Sequence, residues 1–404
     1  MARSKRPVRP IVATILQLPP EICAIICEEV TVYRRADLLA LCRISHLFRD
    51  QAQRLIYRNV DLKHCTPQRR RSWCLAVTRN SQLAERVHTL SLGLPSDLSL
   101  SSDATKVARA LAKCVNLKEL SVFDDTEIGM SDRQFTTAHG SIQGWIVNKC
   151  PFRLTKCANS YFRNSFLSQL WAAQSDIRVL SIPYCNGPFP CYDDQLPNLV
   201  ALEVGAAAAL PAGRPLERIQ LKFPSNRPGF ESLSILSQYS LTLTTLHLLW
   251  YTISDPGISA MEMFATVARE LPALLHFGVA EPEKRDYRLA EDSPLGALQK
   301  FTRLETFFFC TRTILLFHVA ANDIFLDTPA GAEKFGLAIM DACATVRRAV
   351  VGLIADTQPN DRVDCTDPDK TLDVTCTLTR IAGEIQTEGG THFDFSAVSR
   401  LWDP

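Results

Sequence analysis

No stretch of the 404-residue chain reaches 18 consecutive apolar residues, so a membrane-spanning helix is not expected and the protein reads as soluble. Neither sign of charge is in excess. Lys plus Arg number 44 against 43 Asp plus Glu, a nearly neutral balance that gives no reason to expect binding to a nucleic acid backbone. Fourteen cysteines include no CxxC, the nearest pairs being Cys23 with Cys27 and Cys185 with Cys191, and the eight histidines show no HxxxH. Tetrahedral metal sites need closely paired ligands. No metal or other cofactor is therefore expected, and the thiols read as free, mostly buried groups of a reducing compartment, cytoplasmic or nuclear. GxSxG and HExxH are also missing, and the nearest thing to a phosphate loop, Gly331 to Gly336, lacks its Lys and its strand. The chain is read as non-catalytic.

Two local clusters invite ligands and are better explained without them. Asp361, Asp364, Asp367 and Asp369 crowd one segment after Pro359, but the central Gly and terminal Glu of an EF-hand loop are absent. A solvated loop is the reading. Arg69, Arg70 and Arg71 open a helical stretch and read as its solvated face. Residues 1–15 form a basic tail with Arg3, Lys5, Arg6 and Arg9. Their likeness to a leader ends at Pro19, Pro20 and Glu21, where a small-residue cleavage site would be needed.

What is present is the composition of a folded protein, 46% hydrophobic and 22% charged, in a chain longer than one core usually organises. Pro19 and Pro20 suit the start of a helix, and Ile22, Ile25, Ile26 and Val30 follow at helical spacing. Asp37 reads as the N-cap of a second helix carrying Leu38, Leu41, Ser45, Phe48 and Ala52, bent into a third near Arg49 and ending by Leu55 and Ile56. Leu39, Ile44 and Leu47 fall off that stripe. A module this short seldom hides all its apolar surface, so one side is expected to meet a partner.

Beyond Tyr57 the rhythm changes to short strand-like units. They begin at Val87, Leu117, Phe152, Ile177, Leu199, Leu216, Leu243, Leu274, Leu304 and Val346, from 17 to 42 residues apart. Helical stretches such as Ala104 to Cys114, Asn164 to Ala173, Met261 to Leu271 and Ala332 to Ala344 lie between them. Strand then helix, repeated at a period near that of leucine-rich repeats, predicts a divergent solenoid with a curved parallel sheet and outer helices. The strand at Tyr57 to Leu62 should start the stack. Val374, Cys376, Leu378 and Arg380 alternate as a late strand, and Phe395 to Trp402 read as a closing helix.

The string Leu18-Pro19-Pro20-Glu21-Ile22, followed by Asp37-Leu38-Leu39, Leu41-Cys42-Arg43-Ile44-Ser45, Phe48, Ala52, Leu55-Ile56-Tyr57 and Val60, resembles the F-box motif. The departure is Phe48, where many members carry Trp. Together with the repeats, the chain resembles fungal F-box proteins with degenerate leucine-rich repeats. The resemblance implies an α/β chain: an F-box over 16–60, an irregular solenoid over 61–358, and an acidic loop with a C-terminal cap over 359–404. It also implies docking on the Skp-type adaptor of a Skp-Cullin-F-box ubiquitin ligase, with the cullin as a further partner and a protein substrate held by the repeats. The implied adaptor-facing residues are Leu18, Pro19, Ile22, Ile25, Leu38, Leu41, Ser45 and Phe48. On the strands, the residues between the inward leucines are Ser91, Ser121, Ser181, Glu203, Gln220, Lys222, His247, Leu249, Tyr251 and Phe308. Leu249, Tyr251 and Phe308 are the candidate apolar patch for a substrate. Two rival readings are a leucine-rich scaffold without ligase association and a small-GTPase regulator, the latter lacking an identifiable arginine finger.

Overall fold

Pro20 opens helix α1 (Pro20–Tyr33) at a position where its missing N–H costs nothing. Helices α2 (Arg35–Leu41) and α3 (His46–Arg58) complete a three-helix module. The computed structural model describes residues 18–33, 35–94, 101–124, 150–162, 167–183, 185, 187–192, 194–223, 231–250, 260–281, 294–311, 316–319, 322–325, 328–354 and 372–390. The expected acidic loop after Pro359 and the closing helix at Phe395 to Trp402 lie outside them. The chain divides into two compact units, Met1–Lys156 and Cys157–Pro404, so the division falls inside the stretch that reads as repeats.

The second helix is broken rather than bent at Arg49. The break comes earlier, between Leu41 and His46, because Ser45 takes an extended conformation and its hydroxyl accepts the Phe48 N–H at 3.2 Å, capping α3. Asp37 is not a cap but sits in the first turn of α2, where a carboxylate still complements the helix dipole. The core of the module is Cys23, Cys27, Leu38, Phe48 and Ala52, with Leu18, Ile26, Val30, Leu41, Leu55 and Ile56 packed on it. On α1 the buried stripe is thus Cys23, Ile26, Cys27 and Val30, a spacing of i, i+3, i+4 and i+7.

In the first unit, β1 (Asn59–Leu62), β2 (Thr89–Leu94) and β3 (Glu119–Asp124) pair in parallel. The strand expected at Tyr57 to Leu62 therefore does start the stack, but from Asn59, because Tyr57 and Arg58 close α3. The unit boundary falls within β4 (Lys156–Asn159). In the second unit, β5 (Val179–Ile182), β6 (Ala201–Val204), β7 (Arg218–Phe223), β8 (Thr245–Trp250), β9 (His276–Glu281) and β10 (Thr306–Thr311) follow one another in parallel. A hairpin of β11 (Leu316–Val319) and β12 (Asn322–Phe325) stands apart as its own small sheet. β13 (Arg348–Ile354) continues the parallel order, and β14 (Leu372–Ile381) with β15 (Glu384–Gly390) closes it antiparallel. The sheet is open, mostly parallel and interspersed with helices, as an irregular solenoid requires.

Nine of the ten hydrophobic units enter their strand two residues after their first apolar residue. That residue is buried in the preceding turn, as with Val87, Leu117, Ile177, Leu216 and Leu304, each 0% exposed. The exception is the unit at Phe152, whose strand starts at Lys156 because Leu154, not Phe152, occupies the turn position. In the second unit one backbone carbonyl at each turn accepts N–H groups from the next repeat: Val200 and Ala201 on Arg178, Glu217 and Arg218 on Val200, Thr244 and Thr245 on Glu217. Leu275 and His276 on Thr244, Glu305 and Thr306 on Leu275, and Arg347 and Arg348 on Glu305 continue the series. This ladder holds strand register while the outer segment varies. Between β6 and β7 that segment holds only a 3-10 turn, Ala207–Ala209, whereas β10 and β13 are separated by a hairpin and the helix Pro329–Ala342. The wandering period is a difference in outer segments, not in strands.

Aromatic packing replaces leucine in the later repeats. Phe264 meets Phe277 and Phe307 edge to face at 5.6 Å each, and Phe309 packs on Phe335 at 5.7 Å, a geometry that adds to the burial term. No helix among the described residues is long and apolar enough to cross a membrane.

Candidate functional site

Half of the exposed large hydrophobic residues among those described lie between residues 22 and 47: Ile22, Ile25, Leu39, Ile44 and Leu47, the others being Leu75, Val115, Tyr192, Leu241 and Ile381. That concentration singles out the three-helix module, because scattered single residues need no explanation and a cluster does. Ile22 is 41% and Ile25 54% exposed, and at i, i+3 they share one stripe of α1. Leu39 on α2, Ile44 in the connecting turn and Leu47 in the first turn of α3 form a second set.

The eight residues expected to face an adaptor separate by position. Pro19, Ile22 and Ile25 are exposed, and Leu18 and Leu41 are half-buried against the core. Ser45 is the α3 cap. Leu38 and Phe48 are 1% and 3% exposed, so they hold the helices together and offer nothing to a partner. Sequence periodicity groups Ile22 and Ile25 with Ile26 and Val30 on one apolar face. The smaller Cys23 and Cys27 take the buried positions instead, where α1 lies close to the other two helices. The Cys23–Ile26–Cys27–Val30 spacing is the signal that could have shown it.

Two thiols of the module are shifted by their surroundings. Burial, followed by the neighbouring Cys23 and Cys42, raises the Cys27 thiol, and burial also raises Cys42. Both stay protonated and are poor nucleophiles. The Arg54–Glu28 ion pair at 2.9 Å joins α3 to α1, but both partners are about half exposed, where such pairs contribute little.

In the second unit, strand register aligns Ser181, Glu203, Gln220, His247, Gly278, Phe308 and Val350 across neighbouring strands. This row was expected to form an open concave face. It is buried instead: Glu203 is 3% and His247 1% exposed. Glu203 is compensated by the Ser181 hydroxyl, by Gln220 Nε2 at 2.9 Å and by Lys222 Nζ at 3.1 Å, as a buried carboxylate must be. Leu249 and Phe308, each 1% exposed, are interior residues and not a docking patch. Tyr251 lies outside the described residues. Among those described, no group of three or more His, Cys, Asp or Glu is placed to hold a metal ion.

Burial, followed by the nearby His276, lowers the pKa of His247 to about 3. Between its unfolded value of 6.5 and that value, the unfolded chain binds a proton the folded chain refuses. Stability should then fall as pH drops through this window, by up to about 1.4 kcal/mol per pH unit. Unfolding midpoints of the wild type and His247→Asn, compared from pH 7 down, should show a shallower acid slope in the variant. Equal slopes would clear His247 as the source.

No protein-family model matches the chain, and no curated protein matches it either.

Proposed function

We propose that this protein is a non-catalytic substrate receptor of a Skp-Cullin-F-box ubiquitin ligase, acting in the cytoplasm or nucleus. The three-helix module docks on the Skp-type adaptor, and the repeats hold a protein substrate. The observation that carries the reading is the Ile22–Ile25 stripe left uncovered on a module whose core and cap residues, Leu38, Ser45, Phe48 and Ala52, occupy the positions of the F-box-like string. The core of that module is five buried residues, and covering an exposed isoleucine on binding is worth on the order of 1 kcal/mol. A receptor of this kind performs no bond chemistry. It raises the effective concentration of substrate beside the conjugating machinery, which by itself supplies several kcal/mol of the barrier.

The experiment is co-purification of the full chain with a Skp-type adaptor and cullin. Wild type should carry both, and Ile22→Glu with Ile25→Glu should weaken adaptor binding about a hundredfold. Both side chains are exposed, so the unfolding midpoint of the variant should not move. Wild-type chain that captures neither subunit would sink the proposal and leave a leucine-rich scaffold as the reading.

A further inference from the structure

The near-zero net charge of the chain hides two halves of opposite sign. Residues 1–156 carry 24 Lys and Arg against 14 Asp and Glu, which leaves 20 against 29 for residues 157–404. A polyanion would find its attraction in the first unit. There the residues that lead into β1, β2 and β3 are Arg58, His88 and Lys118. The His88 N–H donates to Arg58 O at 2.9 Å and the Lys118 N–H to His88 O at 2.8 Å. This backbone ladder sets the three in single file, about 4.8 Å from strand to strand. All three are exposed, and none has a side-chain hydrogen bond or ion pair among the described residues.

The acids close in sequence do not neutralise this file. Asp50 pairs with Arg86, and Glu119 pairs with Lys156 at 3.5 Å. Glu85, exposed at the end of the helix Ser81–Glu85, has no such pairing among the described residues. The mutual repulsion is visible at His88, whose pKa is lowered by burial and then by Arg58 and Lys118. An anion laid along the file would relieve that repulsion and draw a proton onto the imidazole. In the turns that lead into these three strands, Val115 is the one exposed large apolar residue among those described. A protein partner needs buried apolar or aromatic anchors, whereas a phosphate backbone needs a line of cations. No exposed Phe, Tyr or Trp stands in the described residues of these turns to stack an unpaired base, which favours a duplex over a single strand.

We propose that the Arg58–His88–Lys118 file binds the phosphate backbone of a nucleic acid duplex without reading its sequence. Over roughly 10 Å, the three side chains can engage about two or three successive phosphates of one strand. Strand register fixes their order before any ligand arrives, so little has to be organised on binding. Contacts of this kind set position and carry no base information. The partner class lies beyond adaptor docking and substrate capture, and the file is separate from the Ile22–Ile25 stripe.

The test uses the full chain and a short fluorescein-labelled DNA duplex of mixed sequence, read by anisotropy across a salt series. Wild type should bind, and its affinity should fall as salt rises. Arg58→Gln with Lys118→Gln should weaken binding at least about tenfold and lower the slope of log affinity against log salt by about two. Both side chains are exposed, so the unfolding midpoint should not move. Arg69→Gln with Arg79→Gln removes the same charge from the exposed face of the helix Pro67–Arg79 and should leave the slope unchanged. As pH falls toward the ordinary imidazole range, wild-type binding should tighten, because the bound form takes up a proton at His88, and His88→Gln should lose that response. No binding, equal losses in the two double variants, or tighter capture by phosphatidylserine vesicles or polyglutamate than by the duplex would overturn the proposal. No ligase subunit enters this experiment, so its failure is separate from failure of adaptor docking.

Discussion

Gly278→Ala is expected to destabilise the second unit by about 3 kcal/mol or more, at the upper end of overpacking costs. A Cβ at that position would lie 1.6 Å from Phe308 Cε1 and 2.2 Å from Cζ, so the ring must leave its place. It has little room to do so. Phe308 is 1% exposed and meets the His247 ring edge to face at 5.1 Å on the strand beyond Gly278. The three residues are register neighbours, His247 opposite Gly278 and Gly278 opposite Phe308. The glycine is therefore the slot that lets an aromatic side chain lie flat across the sheet. Urea unfolding checks this directly, and Gly278→Ala combined with Phe308→Leu should cost less than the sum of the two single changes, because the smaller side chain vacates the clash. A Gly278→Ala protein within about 0.5 kcal/mol of wild type would show that the ring relaxes freely, contrary to this packing.

Phe48→Ala should unfold the three-helix module selectively. Truncating a buried phenylalanine costs about 3–5 kcal/mol, as much as a small helical core usually supplies in total. Phe48 lies at the centre of that core, and the Ser45 cap depends on the same turn, since the hydroxyl accepts the Phe48 N–H. Hydrogen exchange should show lost amide protection over residues 20–58 with β5 to β10 unchanged. Adaptor capture should disappear with it. The Ile22→Glu, Ile25→Glu variant should lose capture while keeping that protection, so the pair separates a docking surface from the core that displays it. Persistent protection over 20–58 in Phe48→Ala would mean that the core lies elsewhere.

Much of the architecture was legible because period and hydrophobicity are local properties. The helix starts at Pro19 and Pro20, the ten strand-like units, and the strand after Tyr57 all come from side-chain alternation that a solenoid must respect to bury each repeat on the next. Alternation located the units but not the first strand residue, since Val87, Leu117 and Leu304, read as strand starts, are buried in the turn two residues before the strand. It does not specify the length of the outer segment. The 17-residue step into β7 is filled by a 3-10 turn and the 42-residue step into β13 by a hairpin and a helix, because only packing across repeats determines how much outer surface needs cover.

Sequence alone determined that a short helical module precedes a strand-and-helix repeat, since those facts depend on neighbours within one turn or one strand. Tertiary structure decided which residues of the first helix are buried. Cys23 and Cys27 face the helix junction and leave Ile22 and Ile25 to solvent. Gly278 makes room that draws Phe308 inward, and Arg303, Arg347 and Arg380 meet only when successive repeats stack. Exposure and juxtaposition depend on what lies across the fold, and no one-dimensional period carries that information.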